Sequence, residues 1–218
     1  MKFSIIIPQL FHDLIARILP GFLFLLILIM GIPNVMSQLL FLGPEETDNV
    51  IDSLGKSFSI VALSYALGWM FFSFIFWSKR ETTRKKHEKN GNSKSLNHKY
   101  QWIRLSHPPA GFRIVKLRAE ARMFETSRTA MIAIILIAIL YVVYFTVVSV
   151  ISDVWTLGLI NWVRLIVMLL VASILCVGFR RCEERAWEYY WANIDTIYDL
   201  LHDTIDPIRE IGVHQNDT

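Results

Sequence analysis

The chain has 218 residues, of which 54% are hydrophobic and 19% charged, with 2 Cys and a net charge of +3. Soluble domains carry about 25% charged residues. The composition excludes a disordered chain, a disulfide scaffold and a collagen-like repeat, and directs attention to where the apolar runs fall.

Residues 1–17 read as an interfacial N-terminal segment. Leu10, Phe11, Leu14, Ile15 and Ile18 share one helical face, and Asp13 stands four residues before Arg17, the better order for a helix pair. The segment carries only Lys2 and Arg17 as cations and no Ala-x-Ala-like site follows it, which argues against a cleavable signal peptide. Residues 18–78 hold transmembrane helices 1 and 2. Crossing a bilayer takes about 20 apolar residues, and Ile18–Leu42 and the uncharged Phe58–Trp77 both qualify. Pro20 sits near a helix start, where it is tolerated, while Gly31 and Pro33 predict a kink in the first span. Ala62 and Ala66, and Ser64 and Gly68, are small residues four apart, so with Tyr65 and Trp69 the second span is expected to pack against other helices.

Residues 79–112 read as a basic loop. The stretch 82–98 contains one aliphatic residue and no aromatic and is expected to be mobile, and His107-Pro108-Pro109-Ala110-Gly111 is a break. Residues 113–179 read as a helix running into span three, followed by span four. Ile114, Leu117, Ala121 and Phe124 recur at helical spacing and no breaker precedes the uncharged Thr129–Ile151. Span four, Leu157–Phe179, carries one charge, Arg164. Residues 180–218 read as an amphipathic helix and tail. No Gly or Pro occurs between Arg180 and Asp206, and Ala186, Tyr190, Ile194, Ile197, Leu201 and Ile205 form a seam for another helix, with Pro207 marking its end.

The expected fold is therefore all-α: a four-helix transmembrane protein with a cytoplasmic helical extension of spans three and four. Residues 79–128 hold 14 Lys and Arg against 4 Asp and Glu, whereas residues 43–57 hold one cation and four acids. The positive-inside rule puts the basic segment and both termini in the cytoplasm. Arg180 and Arg181 agree, and Trp155, Trp162 and Trp77 fall where aromatic belts belong. Residues 180–218 hold 4 cations and 9 acids. Asp195, Asp199 and Asp203 repeat every four residues, either as a solvated acidic face or facing cations such as Arg118 and Arg122.

No catalytic constellation, zinc-ligand spacing or phosphate-binding Gly-rich loop is present, so no enzyme, metal or cofactor is expected. Asp199-x-x-His202-Asp203 reads as an exposed helix face rather than a metal site. Cys176 and Cys182 fall on the reducing side, where a structural disulfide is not expected. Arg164 has three readings: a snorkelling anchor, a bundle-facing pair with Asp153 or an acid of the 43–57 loop, or a pore or substrate role. The basic cluster Lys79, Arg80, Arg84, Lys85, Lys86 and Lys89 offers a surface for anionic lipid or an anionic ligand. A sharper reading is a nucleic acid or nucleotide messenger, with Tyr100, Trp102 and Arg104 stacking a base.

The layout of four spans, short outer loops and a basic inner loop resembles small bacterial four-span inner-membrane components of phage-defence systems, such as the Kiwa membrane subunit. The resemblance is one of topology and carries over no residue. It implies a bacterial inner-membrane sensor or effector whose cytoplasmic face engages a soluble partner. The expected function is thus a non-enzymatic homo-oligomeric sensor, effector or scaffold subunit engaging a cytoplasmic protein or anionic ligand. An oligomeric ion channel or membrane-perturbing effector is the alternative. A transporter or intramembrane enzyme is disfavoured by the lack of midplane ligand groups.

Overall fold

The computed structural model describes residues 3–32, 50–75, 80–90, 96–152 and 159–214. Every regular element among them is helical: α1 (Phe3–Gly31), α2 (Val50–Ser73), α3 (Arg80–Asn90), α4 (Leu96–Ser106), α5 (Pro108–Ser152) and α6 (Leu159–His214). Three of these, α1, α5 and α6, contain stretches long and apolar enough to cross a membrane. The apolar part of α2, Ser57–Ser73, is shorter. The described residues are thus all-helical and include three long apolar helices, compatible with an integral membrane protein.

The chain divides into two compact units. The apolar unit comprises residues 10–77 and 122–182, and its buried core draws on four helices. Phe24, Leu25 and Ile27 come from α1 and Phe71 from α2. Ala130, Met131, Ile134 and Ala138 come from α5, and Leu165, Met168 and Ala172 from α6, spacings that keep one helical face inward. The opposite faces are apolar too: Leu136, Leu140, Val143 and Val147 of α5 and Val163, Ile166, Leu170, Ile174 and Val177 of α6 are exposed. A helix apolar all round belongs in a large core or a membrane. The close approach of α1 and α2 is set by glycine. A Cβ on Gly21 would collide with the Ser64 carbonyl, and one on Gly68 with the Arg17 carbonyl. The Ser64/Gly68 pair therefore faces α1, whereas Ala62 and Ala66 are exposed.

Three local expectations are corrected. First, residues 80–90 and 96–106, read as a mobile loop and its sequel, are helices. In α3, Arg84 pairs with Glu81 at 2.7 Å and with Glu88 at 3.7 Å, so helical-spacing ion pairs stand in for an apolar stripe. Second, α6 continues through Pro207 to His214. A proline removes one N–H donor at a cost of about 3 kcal/mol, which a long established helix can carry. Third, the interfacial segment and the start of span one form one helix, α1, which runs through Pro20 to Gly31. Residues 33–49, including Pro33 and the rest of the expected first span, lie outside the described residues. The break expected over residues 107–111 narrows to His107 alone, with α4 ending at Ser106 and α5 beginning at Pro108 because proline is accepted in the first helical turn. The Ala110 amide donates to His107 Nδ1 at 3.3 Å, so His107 caps α5.

Candidate functional site

The polar unit comprises residues 1–9, 78–121 and 183–218. Its core is built around one face of α6. Trp187, Tyr190, Trp191, Ile194 and Tyr198 are buried there with Leu96 and Ile103 of α4 and Ile114 and Ala121 of α5, and Ala186, Ile197, Leu201 and Leu117 pack at the edge. The expected seam is thus occupied by both neighbouring helices, but its centre is turned toward the two tryptophans. Trp187 and Trp191 stack at 6.0 Å with their planes 23° apart, and Tyr190 stands edge-on to both, at 5.4 Å from Trp187 and 4.5 Å from Trp191.

Against this aromatic cluster lies a cavity of about 280 Å³. Arg80 of α3, Asn97, Tyr100 and Gln101 of α4, Arg118 of α5, and Trp187, Tyr190 and Trp191 of α6 line it. Two of these helices present the same triad spacing. Residues 97, 100 and 101 on α4, and 187, 190 and 191 on α6, each stand at i, i+3 and i+4, so each triad shares one helical face. The Arg80 guanidinium lies 5.6 Å from the Trp187 ring centroid, a cation–π distance. The lining therefore carries two guanidiniums, two side-chain amides and four aromatic rings, with no carboxylate among the described residues that form it. Trp191 is 3% exposed, and its indole N–H is buried with no hydrogen-bond partner.

A separate charge cluster fixes α4 on α6. Lys99 is 4% exposed. Its Nζ lies 2.8 Å from Asp195 Oδ1, 4.0 Å from Asp199 Oδ1 and 5.2 Å from the centroid of the Tyr198 ring. The cation beside these two carboxylates thus comes from α4, while Asp203 is exposed. Arg118 lines the cavity, and Arg122, in the apolar unit, lies 3.4 Å from Glu125 and 5.0 Å from the Phe72 ring centroid.

The basic cluster is likewise divided. Arg80 turns to the cavity, Arg84 is engaged by Glu81 and Glu88, and Lys86 pairs with Glu188 at 3.0 Å. Lys85 and Lys89 are exposed, and Lys79 lies outside the described residues. Of the three residues expected to stack a base, Tyr100 lines the cavity. Trp102 packs on Tyr198 at 5.2 Å and His202 at 6.2 Å, and Arg104 is exposed. Arg164 is exposed on α6, and Asp153 lies outside the described residues.

Asn97, Gln101, Trp187 and Trp191 are cavity residues that the sequence reading passed over. The available signal was the doubled i, i+3, i+4 spacing of polar–aromatic and aromatic triads on two segments. No family model, no curated protein and no solved structure matches the chain.

Proposed function

We propose that the chain is a four-span integral protein of a bacterial inner membrane with both termini in the cytoplasm. It acts without enzymatic turnover, as a homo-oligomeric sensor or effector subunit that receives a cytoplasmic anionic ligand or a soluble protein partner. The observation that carries this reading is the arginine- and aromatic-lined cavity of the polar unit, built on α5 and α6. The same two helices supply much of the apolar core. A ligand seated between them acts on helices that also form the membrane part, which is what a receptor needs. The fourth span is the α2 region, whose apolar helix is short but contributes Phe71 to the core and meets α1 at Gly68. The setting in antiviral defence rests on the resemblance in topology alone.

The test uses the full chain reconstituted in liposomes and in mild detergent. A defined oligomer by native mass spectrometry, with liposomes that hold an ion gradient, supports the sensor or scaffold reading. A dissipated gradient replaces it with the channel, and a strictly monomeric chain removes the oligomer.

A further inference from the structure

The cavity's chemistry is narrower than "anion". Guanidiniums offer planar forked donors that match a phosphate or carboxylate bidentately. Arg80 and Arg118 bring two of them to one cavity from different helices. Aromatic rings also border this cavity: Trp187, Tyr190 and Trp191 as its buried floor, packed in the core of the unit, and the half-buried Tyr100 as its one partly open ring. Aromatic faces hold planar rings by stacking, which tolerates any base because every base has a π-face. Asn97 and Gln101 each add an amide with both a donor and an acceptor, the complement of a heterocycle's mixed edge.

Size sets the upper limit. Pockets for drug-sized molecules run from about 300 to 1,000 Å³, and this cavity, at about 280 Å³, sits just under that range. One ring system and one phosphate suit it, whereas a dinucleotide or an oligonucleotide does not.

We infer that the cavity between α3, α4, α5 and α6 of the polar unit is a binding site for a nucleoside monophosphate. Its phosphate sits on Arg80 and Arg118, its base lies against Tyr100, and Asn97 and Gln101 meet the base edge. The inference rests on the proposed ligand-receiving role of this unit and gives that ligand a chemical class.

Isothermal titration calorimetry of the full chain in nanodiscs tests it, with AMP, GMP, CMP and UMP as probes and ribose 5-phosphate and adenosine as controls. At least one monophosphate is expected to bind, with ribose 5-phosphate and adenosine each at least about tenfold weaker, because each control lacks one of the two recognised groups. Arg118→Gln and Tyr100→Leu should each weaken binding of that monophosphate by about tenfold or more. Both positions are half-buried rather than central to the core, so the variants are expected to fold, and an unchanged circular-dichroism melt identifies those that have. A variant that melts early is replaced by Gln101→Ala at an exposed wall position, which must also weaken binding. Equal affinity for ribose 5-phosphate overturns the nucleotide assignment while leaving an anion receptor standing. Binding of none of the six compounds overturns the assignment, and it removes the receptor reading as well only if the chain also retains no soluble partner when isolated from its native membrane. Affinity unchanged in every folded variant overturns the placement in this cavity.

Discussion

Lys99 shows how one side chain decides the docking of an element. Its ammonium is buried between Asp195, Asp199 and the Tyr198 ring. Removing the acid leaves that charge in a poorly solvated place, whereas removing the cation leaves a carboxylate that is still 25% exposed. Asp195→Ala should therefore cost about 2–3 kcal/mol and Lys99→Met about 1 kcal/mol or less, an order that pulse proteolysis of the full chain in mild detergent reads directly. His107→Ala should cost about 1 kcal/mol through loss of the α5 cap, and His107→Asn should restore most of it. Sequence reasoning located the acids of this cluster and missed the cation. Asp195, Asp199 and Asp203 announce themselves by their four-residue period, whereas Lys99 is one of many lysines in a basic stretch. Nothing local distinguishes the one that folds inward.

At the scale of elements, apolar periodicity was legible and charge-stabilised helicity was not. The long apolar stretches of α1, α5 and α6 stand out because their length exceeds any soluble requirement. The seam on α6 was also visible, yet its tryptophan centre was passed over, since the steps through Ala186 and Tyr190 run alongside Trp187 and Trp191 on the same broad face. The helix α3 was invisible for a physical reason: it has no apolar stripe, and Glu81, Arg84 and Glu88 support it through pairs that each contribute only about 0.2–0.5 kcal/mol. The α1–α2 contact yields a sharp contrast among glycines. Gly68→Val drives a side chain into the Arg17 carbonyl and should destabilise the chain by about 3 kcal/mol or more, because the obstacle is backbone. Gly178 has open space around its missing Cβ, so Gly178→Ala should be neutral or stabilising by up to about 1 kcal/mol. Thermal melts of the two variants in one detergent check the pair of outcomes.

For the whole molecule, the structure divides the chain into two units whose boundaries cut across α1, α5 and α6, where the sequence reads as five consecutive segments. The units follow from how α5 and α6 are composed. Each begins or ends in amphipathic sequence and changes to sequence apolar on every side. The cavity was not legible at this scale, because its residues come from four segments spread between positions 80 and 191. Only the packing of α3 and α4 brings them together. The proposed four-span topology predicts opposite labelling of two added thiols. In a chain with Cys176 and Cys182 replaced by Ser, Ser93→Cys should be reached by a membrane-impermeant maleimide only after the cells are opened. Thr47→Cys should react in intact spheroplasts. Labelling of both from the same side would refute the topology.

The burial of Lys99 also gives the polar unit an internal clock. Lys85 and Lys89 are exposed and should acylate at the rate of free amines, whereas the buried Lys99 should react only when α4 lifts from α6. In excess reagent, the ratio of its modification rate to theirs measures how often that helix opens, a free energy of local unfolding read by mass spectrometry with the protein still in its lipid.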